Sequence, residues 1–190
     1  MRSDAWRLLA DRLRSVGRRL SGARRDTRLE NELRIARLRR RGVRIGEGCI
    51  IHTDSFSTEP YLVELGNHVG IAGGAVFVTH DGSVWLVRQS RPQVQHFGRI
   101  VVGDNCVIGQ NSILLPHTTI GANSIIGAGS VVRGTIPEDS LVIGSPARVV
   151  GRASLALSWL VRSPDTFDSL HLSDDDRRRL LETHFEIRAE

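Results

Sequence analysis

Seven histidines are the side chains of this chain best suited to move a proton near neutral pH. One of them, His80, has a distinctive setting. It sits in Thr79-His80-Asp81, directly before a break in a regular pattern that runs on both sides of it. A positioned histidine can take the proton of a hydroxyl while the oxygen attacks a carbonyl, provided an acceptor holds its far ring nitrogen. Three acceptors are open here: Glu59, Asp81 and a backbone carbonyl. Glu59 is preferred, because a carboxylate stranded before the apolar Pro60-Tyr61-Leu62-Val63 stretch needs a reason to be there. Asp81 is also a candidate for binding acceptor hydroxyls or capping the following loop. The two cysteines, Cys49 and Cys106, offer no comparable chemistry. They form no CxxC spacing, and both fall where the pattern wants a small inward residue, so they read as reduced core residues.

The pattern around His80 has a period of six. From Val102 the chain reads VGDNCV, IGQNSI, LLPHTT, IGANSI, IGAGSV. An aliphatic residue opens each unit (Val102, Ile108, Leu114, Ile120, Ile126, then Val132), and a small residue follows four places later (Cys106, Ser112, Thr118, Ser124, Ser130). Six matches neither the 3.6 of a helix nor the two of a strand. It suits a chain that turns a corner every six residues, with the aliphatic residue inside each face and the small residue inside each corner. That is an all-β solenoid. The beat begins after Val43 as IGEGCI and IHTDSF, shifts phase across residues 57–64, and resumes at Leu65, Ile71 and Phe77. It breaks again over about residues 83–98. Solenoids carry insertions as loops on one face, often the binding face. The loop with Trp85, Arg88, Arg91 and His96 is therefore expected to wall a binding site.

A chain of 190 residues suits one domain with short extensions. The expected division is an Arg-rich helical extension over 1–42, the solenoid over 43–151, and a helical extension over 152–190. Every basic residue is arginine, and residues 1–44 hold 15 of them against five acids. Trp6, Leu9, Leu13, Val16 and Leu20 recur at helical steps, as do Leu29, Leu33, Ala36 and Leu38, with a break expected near Ser21-Gly22. Such an arm suits packing on the body, and it also suits peripheral contact of residues 1–41 with anionic lipid; no reading motif accompanies the charge, so nucleic acid is not expected as a partner. A helix is expected over about Ser154 to Val161, and another behind Ser173 as N-cap with Asp174 to Asp176 in its first turn. No apolar run approaches the roughly 20 residues of a membrane span. The expected location is the cytoplasm, or the inner membrane face.

The hexapeptide units, the THD at Thr79 to Asp81, the IGAGSVV at Ile126 to Val132 and the GSPAR at Gly144 to Arg148 together resemble the hexapeptide-repeat acyltransferases. Within these, the chain is most similar to the group of maltose, nodulation-factor, xenobiotic and surface-polysaccharide O-acetyltransferases. The resemblance covers residues 43–151. It implies a left-handed parallel β-helix of triangular section, with three hexapeptides per coil. It implies a homotrimer with sites between subunits, acetyl-CoA as donor and no metal. It makes His80 the general base and a sugar hydroxyl the acceptor, in a surface polysaccharide, glycolipid or oligosaccharide precursor. Asp81, Trp85 and His96 would meet that acceptor. Gly109, Gln110, Gly127 and Ala128 match the positions that hold the pantetheine arm. Arg148 matches a phosphate-binding position. The other basic position usually follows the GSVV stretch as Thr-Lys; here it reads Arg133-Gly134, so Arg133 would supply the charge from one place earlier. His117, at an outward corner, is a candidate for lining the coenzyme groove. His52, His68, His171 and His184 read as surface or structural.

Three other readings compete. N-acetylation of an amino sugar would use the same base and donor site. A γ-carbonic-anhydrase-like metalloprotein needs a tight histidine pair in a late coil, but His117 is followed five places on by Ala122. A non-catalytic scaffold would leave the THD and its loop without a purpose.

Overall fold

The computed structural model describes residues 27–187. The expected helix over residues 1–26, with its break near Ser21-Gly22, lies outside the described residues. Helix α1 spans Thr27–Arg40. The strands that follow are two or three residues long until the last pair, and they fall into three sheets. The first holds β1 (Arg44–Ile45), β3 (Val63–Leu65), β6 (Ile100–Val102), β9 (Thr118–Ile120) and β12 (Thr135–Ile136). The second holds β2 (Ile50–Ile51), β4 (Gly70–Ile71), β7 (Val107–Ile108), β10 (Ile125–Ile126), β13 (Ser140–Gly144) and β14 (Ala147–Arg152). The third holds β5 (Val76–Phe77), β8 (Ile113–Leu114) and β11 (Val131–Val132), and Phe56 makes a parallel bridge to Phe77 beside it. The chain thus visits the three sheets in rotation, and all pairings but β13–β14 are parallel.

The six-residue beat explains the register. Val102 faces Ile120, Ile108 faces Ile126 and Leu114 faces Val132, each eighteen residues on. Three units therefore complete one circuit, and like stacks on like. All six opening aliphatics are buried, as are all five small residues. The small polar ones are satisfied where they lie. Ser112 Oγ donates to Gly127 O (3.1 Å), Thr118 Oγ1 to Leu115 O (2.7 Å) and Ser124 Oγ to Pro137 O (3.2 Å). Corners are closed by residues in the left-handed region, again six apart: Asn105, Asn111, His117 and Asn123. Asn and His tolerate that conformation better than most side chains. In the earlier coils, Phe56 and Phe77 stack at 4.4 Å and fill the interior.

A parallel stack leaves open edges at both ends. At the first end α1 buries Leu38 and lends side chains to the unpaired backbone of β2. Asn31 Nδ2 donates to Cys49 O (2.9 Å), Asn31 Oδ1 accepts from Ile51 N (2.8 Å), and Arg34 Nη1 donates to Ile51 O (2.9 Å). At the other end β14 folds back antiparallel on β13. Helix α2 (Ala153–Leu160) packs beyond it. Helix α3 (Asp174–His184) is capped by Ser173, whose side chain accepts from Asp176 N.

Candidate active site

His80 stands where the chain leaves the third sheet and the longer loop begins. Phe77 and Leu114 face each other thirty-seven residues apart, because the loop lengthens that circuit. The loop opens with a 3-10 turn, Gly82–Val87, capped by Asp81, whose Oδ1 accepts from Ser83 N at 2.9 Å. It closes on itself beside His80. Asp81 N donates to His96 O (2.9 Å), Gly98 N donates to Thr79 O (2.8 Å), and His80 and Phe97 form an antiparallel bridge.

The earlier interruption delivers Glu59 to the same place. A short 3-10 turn, Pro60–Leu62, follows it. Glu59 Oε2 accepts from Thr79 Oγ1 at 3.0 Å and lies 3.1 Å from His80 Nδ1. Its other oxygen accepts from Thr58 Oγ1 at 2.6 Å. These bonds hold the Glu59 carboxyl below the usual carboxylate range. Thr58 contributes most, with Thr79 and His80 adding to it against the opposing effect of burial. An ionised carboxylate only accepts, so the proton of the neutral His80 ring belongs on Nδ1 and Nε2 is left basic. Glu59 is 17% exposed and His80 46%, so the carboxylate is sheltered while the imidazole meets solvent.

Glu59 and His80 line a cleft of about 260 Å³ with Asp81, Trp85, Arg88 and His96. The Asp81 carboxyl is held below its usual range mainly by the Ser83 N–H, with smaller contributions from the charges of Arg133 and His96. Arg88 stacks over the Trp85 ring at 5.6 Å, and Trp85 is 70% exposed. Sequence reasoning missed Thr58, Thr79 and Ser57 around this pair; Ser57 Oγ lies 3.3 Å from His80 Nδ1. Nothing in the hexapeptide beat marks them, because they belong to interruptions or to buried positions.

The remaining candidates divide between two corners. Arg133 follows the third sheet, as His80 and His117 do, and lies at the same corner. Gly109, Gln110, Gly127 and Ala128 follow the second sheet, at a different corner. There successive coils touch: Gly129 N donates to Gln110 O at 2.8 Å. A Cβ on Gly109 would stand 2.5 Å from Ala128 N, so only glycine fits. Arg148 lies exposed in β14, its Nη1 donating to Ala147 O at 2.9 Å. His52, His68, His171 and His184 are exposed and away from the cleft; His68 Nδ1 meets Asn105 Oδ1 at 2.8 Å and His184 Nε2 meets Asp165 Oδ1 at 2.8 Å. Among the described residues no group of three or more metal-ligating side chains gathers, and no helix is long and apolar enough to cross a membrane.

Comparison with known proteins shows what this chain is similar to. The bacterial transferase hexapeptide family (six repeats) matches residues 99–134. Protein CapG of Staphylococcus aureus is 42% identical over 117 residues, 60% of this chain and 68% of CapG. A hexapeptide-repeat acetyltransferase of Vibrio cholerae O1 biovar eltor, solved in complex with acetyl coenzyme A, superposes with a TM-score of 0.52 at 32% identity. That match covers 59% of this chain and 61% of the Vibrio chain, less than two thirds of its length. A maltose O-acetyltransferase of Clostridium difficile 630 shares the fold with a TM-score of 0.50 at 24% identity, over 75% of this chain and 84% of its own.

Proposed function

This chain belongs to the bacterial hexapeptide-repeat transferases, and from that premise we propose that it moves an acetyl group from acetyl-CoA to a sugar hydroxyl. The acceptor belongs to a surface polysaccharide, glycolipid or oligosaccharide precursor. His80 Nε2 takes the hydroxyl proton as the acceptor oxygen attacks the thioester carbonyl. The carbon–sulfur bond then breaks, and the proton passes from His80 to the departing thiolate. Glu59 positions the ring and steadies the imidazolium between those steps. The observation that carries this reading is the Glu59–His80 pair, 3.1 Å apart and set in an open cleft. A positioned general base is typically worth about 10²–10⁴-fold in rate. The exposed face of Trp85, with Asp81 and His96 near it, suits a hydroxyl-rich ring.

The donor would lie along Gly109, Gln110, Gly127 and Ala128, with Arg148 and Arg133 near its phosphates. His80 and the glycine positions occupy different corners of one chain. A homotrimer, wound as a left-handed parallel β-helix, would bring one subunit's His80 corner against its neighbour's donor corner. The transferase unit is residues 43–151, flanked by helical extensions, in the cytoplasm or at the inner membrane face through residues 1–41.

Subunit mixing tests this. His80→Ala removes the base, and Ala128→Trp fills the groove at an exposed position. Calorimetry with acetyl-CoA should show one site per subunit, kept by His80→Ala and lost by Ala128→Trp. Each variant alone should release thiol from acetyl-CoA at no more than about a hundredth of the normal rate with a panel of sugars. An equal mixture of the two variants should recover about a quarter of it, because one site in four pairs two intact corners when subunits assort at random. Verified mixed trimers with no recovery would place the site within one chain and overturn the shared-site reading.

A further inference from the structure

The loop and the coil beneath it bring two histidines together outside the Glu59–His80 pair. His96 Nε2 and His117 Nε2 lie 3.4 Å apart, and their ring centres are 5.3 Å apart with planes tilted by 53°. That nitrogen separation exceeds the roughly 2.7–3.2 Å of an ordinary N–H hydrogen bond. It suits a different use. Two imidazoles sharing one tetrahedral ion at about 2.05 Å place their nitrogens about 3.3 Å and their ring centres about 5.2 Å apart. Both observed separations agree with those values to within a tenth of an ångström or so.

We propose that His96 and His117 form a two-histidine chelate for a divalent transition metal such as Zn²⁺, which ties the loop to the coil below it. The backbone that carries each donor is held in place before any ion arrives. His117 occupies a left-handed corner between β8 and β9, at φ 64°. The returning loop lies against it: a Cβ on Gly98 would stand 2.6 Å from His117 N and 2.8 Å from its Cδ2. His96 is anchored through its carbonyl, which accepts from Asp81 N at 2.9 Å. Both side chains are exposed, so water fills the remaining coordination positions. The ion fastens the returning end of the loop at His96 to the corner at His117, and so steadies the loop that carries Trp85 and Arg88 beside His80. The site does not depend on the transferase reading.

The test uses the untagged full-length chain, stripped with a chelator and titrated with zinc chloride in a calorimeter. One ion per chain is expected. His96→Ala and His117→Ala should each weaken binding more than about tenfold, since one imidazole cannot chelate. His68→Ala, at another corner, should leave it unchanged. Cu²⁺ on the wild-type chain gives a readout independent of variant folding: its paramagnetic resonance spectrum should carry coupling to two imidazole nitrogens. Zn²⁺ should also slow tryptic cleavage after the exposed Arg88. Absence of one-to-one binding, a Cu²⁺ spectrum without two imidazoles, or wild-type zinc affinity in either alanine variant would overturn the site. Unchanged cleavage would overturn the restraint on the loop.

Discussion

Replacing Glu59 by glutamine tests whether the carboxylate acts on His80 or merely fills space. The side-chain volume hardly changes, but the donor–acceptor balance does. Glu59 now accepts from Thr58 Oγ1, Thr79 Oγ1 and, at 3.1 Å, faces His80 Nδ1. An amide offers one oxygen and adds two N–H donors that need acceptors of their own. With its oxygen kept by Thr58 Oγ1, the NH₂ takes the place of Oε2, where it faces Thr79 Oγ1 and His80 Nδ1 and favours the tautomer protonated on Nε2, which cannot act as a base. Loss of a hydrogen bond to a charged partner is worth about 1.5–3 kcal/mol, or roughly 10–100-fold in rate. A full switch of tautomer approaches the ~10⁴-fold seen when a triad carboxylate becomes an amide. We expect kcat to fall about 10²–10³-fold, with KM for acetyl-CoA within about twofold and a melting temperature within a few degrees of wild type. Steady-state thiol release, calorimetry and a thermal melt measure these together. A kcat within threefold of wild type in a properly folded variant would refute the positioning role. An equal loss of kcat and donor affinity would show that Glu59 supports the fold rather than the base.

Two further predictions concern the way α1 is held. Asn31→Ala removes the amide that pairs with Cys49 O and Ile51 N. Unpaired backbone groups at a half-buried edge cost about 1–3 kcal/mol, so the melting temperature should drop by about 4–8 °C; no drop would mean that water replaces the amide at no cost. Asp54 bonds Arg37 at 2.7 Å and Arg34 at 3.4 Å, and the Arg37 bond is the chief cause that holds its carboxyl below the usual range. A depressed folded-state pKa gives stability that is present above about pH 4, where the unfolded carboxyl is already ionised, and lost as pH falls through the lower folded value. Asp54→Asn should therefore cost at most about 1 kcal/mol at pH 7, because both partners are near half exposure. The difference from wild type in urea midpoint should narrow steadily below pH 4, and a constant difference down to pH 2 would refute the assignment.

Much of the fold is legible in the order of residues. Val102, Ile108, Leu114, Ile120, Ile126 and Val132 are inside because a six-residue circuit face returns every opening residue to the interior, and all six are buried. Eighteen-residue stacking follows from three such faces. Even the Ser173 cap of α3 can be read locally, because capping needs only a side chain and a backbone N–H three residues on. The hairpin of β13 and β14 was not legible, because antiparallel return depends on which edge is free once the last circuit closes.

The site follows a different logic. His80 could be singled out by its neighbours in sequence, and so could the loop after it. Its partner could not be fixed from order alone, because Glu59 and His80 are twenty-one residues apart across an interruption of the beat. Only the stacking of one circuit on the next, stretched to twenty-one residues between Phe56 and Phe77 by the interruption that carries Glu59, sets that meeting. The same holds for His96 and His117, also twenty-one apart, and for Asn31 against the open backbone of β2. Inside and outside are decided by local spacing, since burial of an aliphatic residue requires only that it face the axis. Contacts between corners are decided by the height at which each circuit returns, and that depends on every insertion before it.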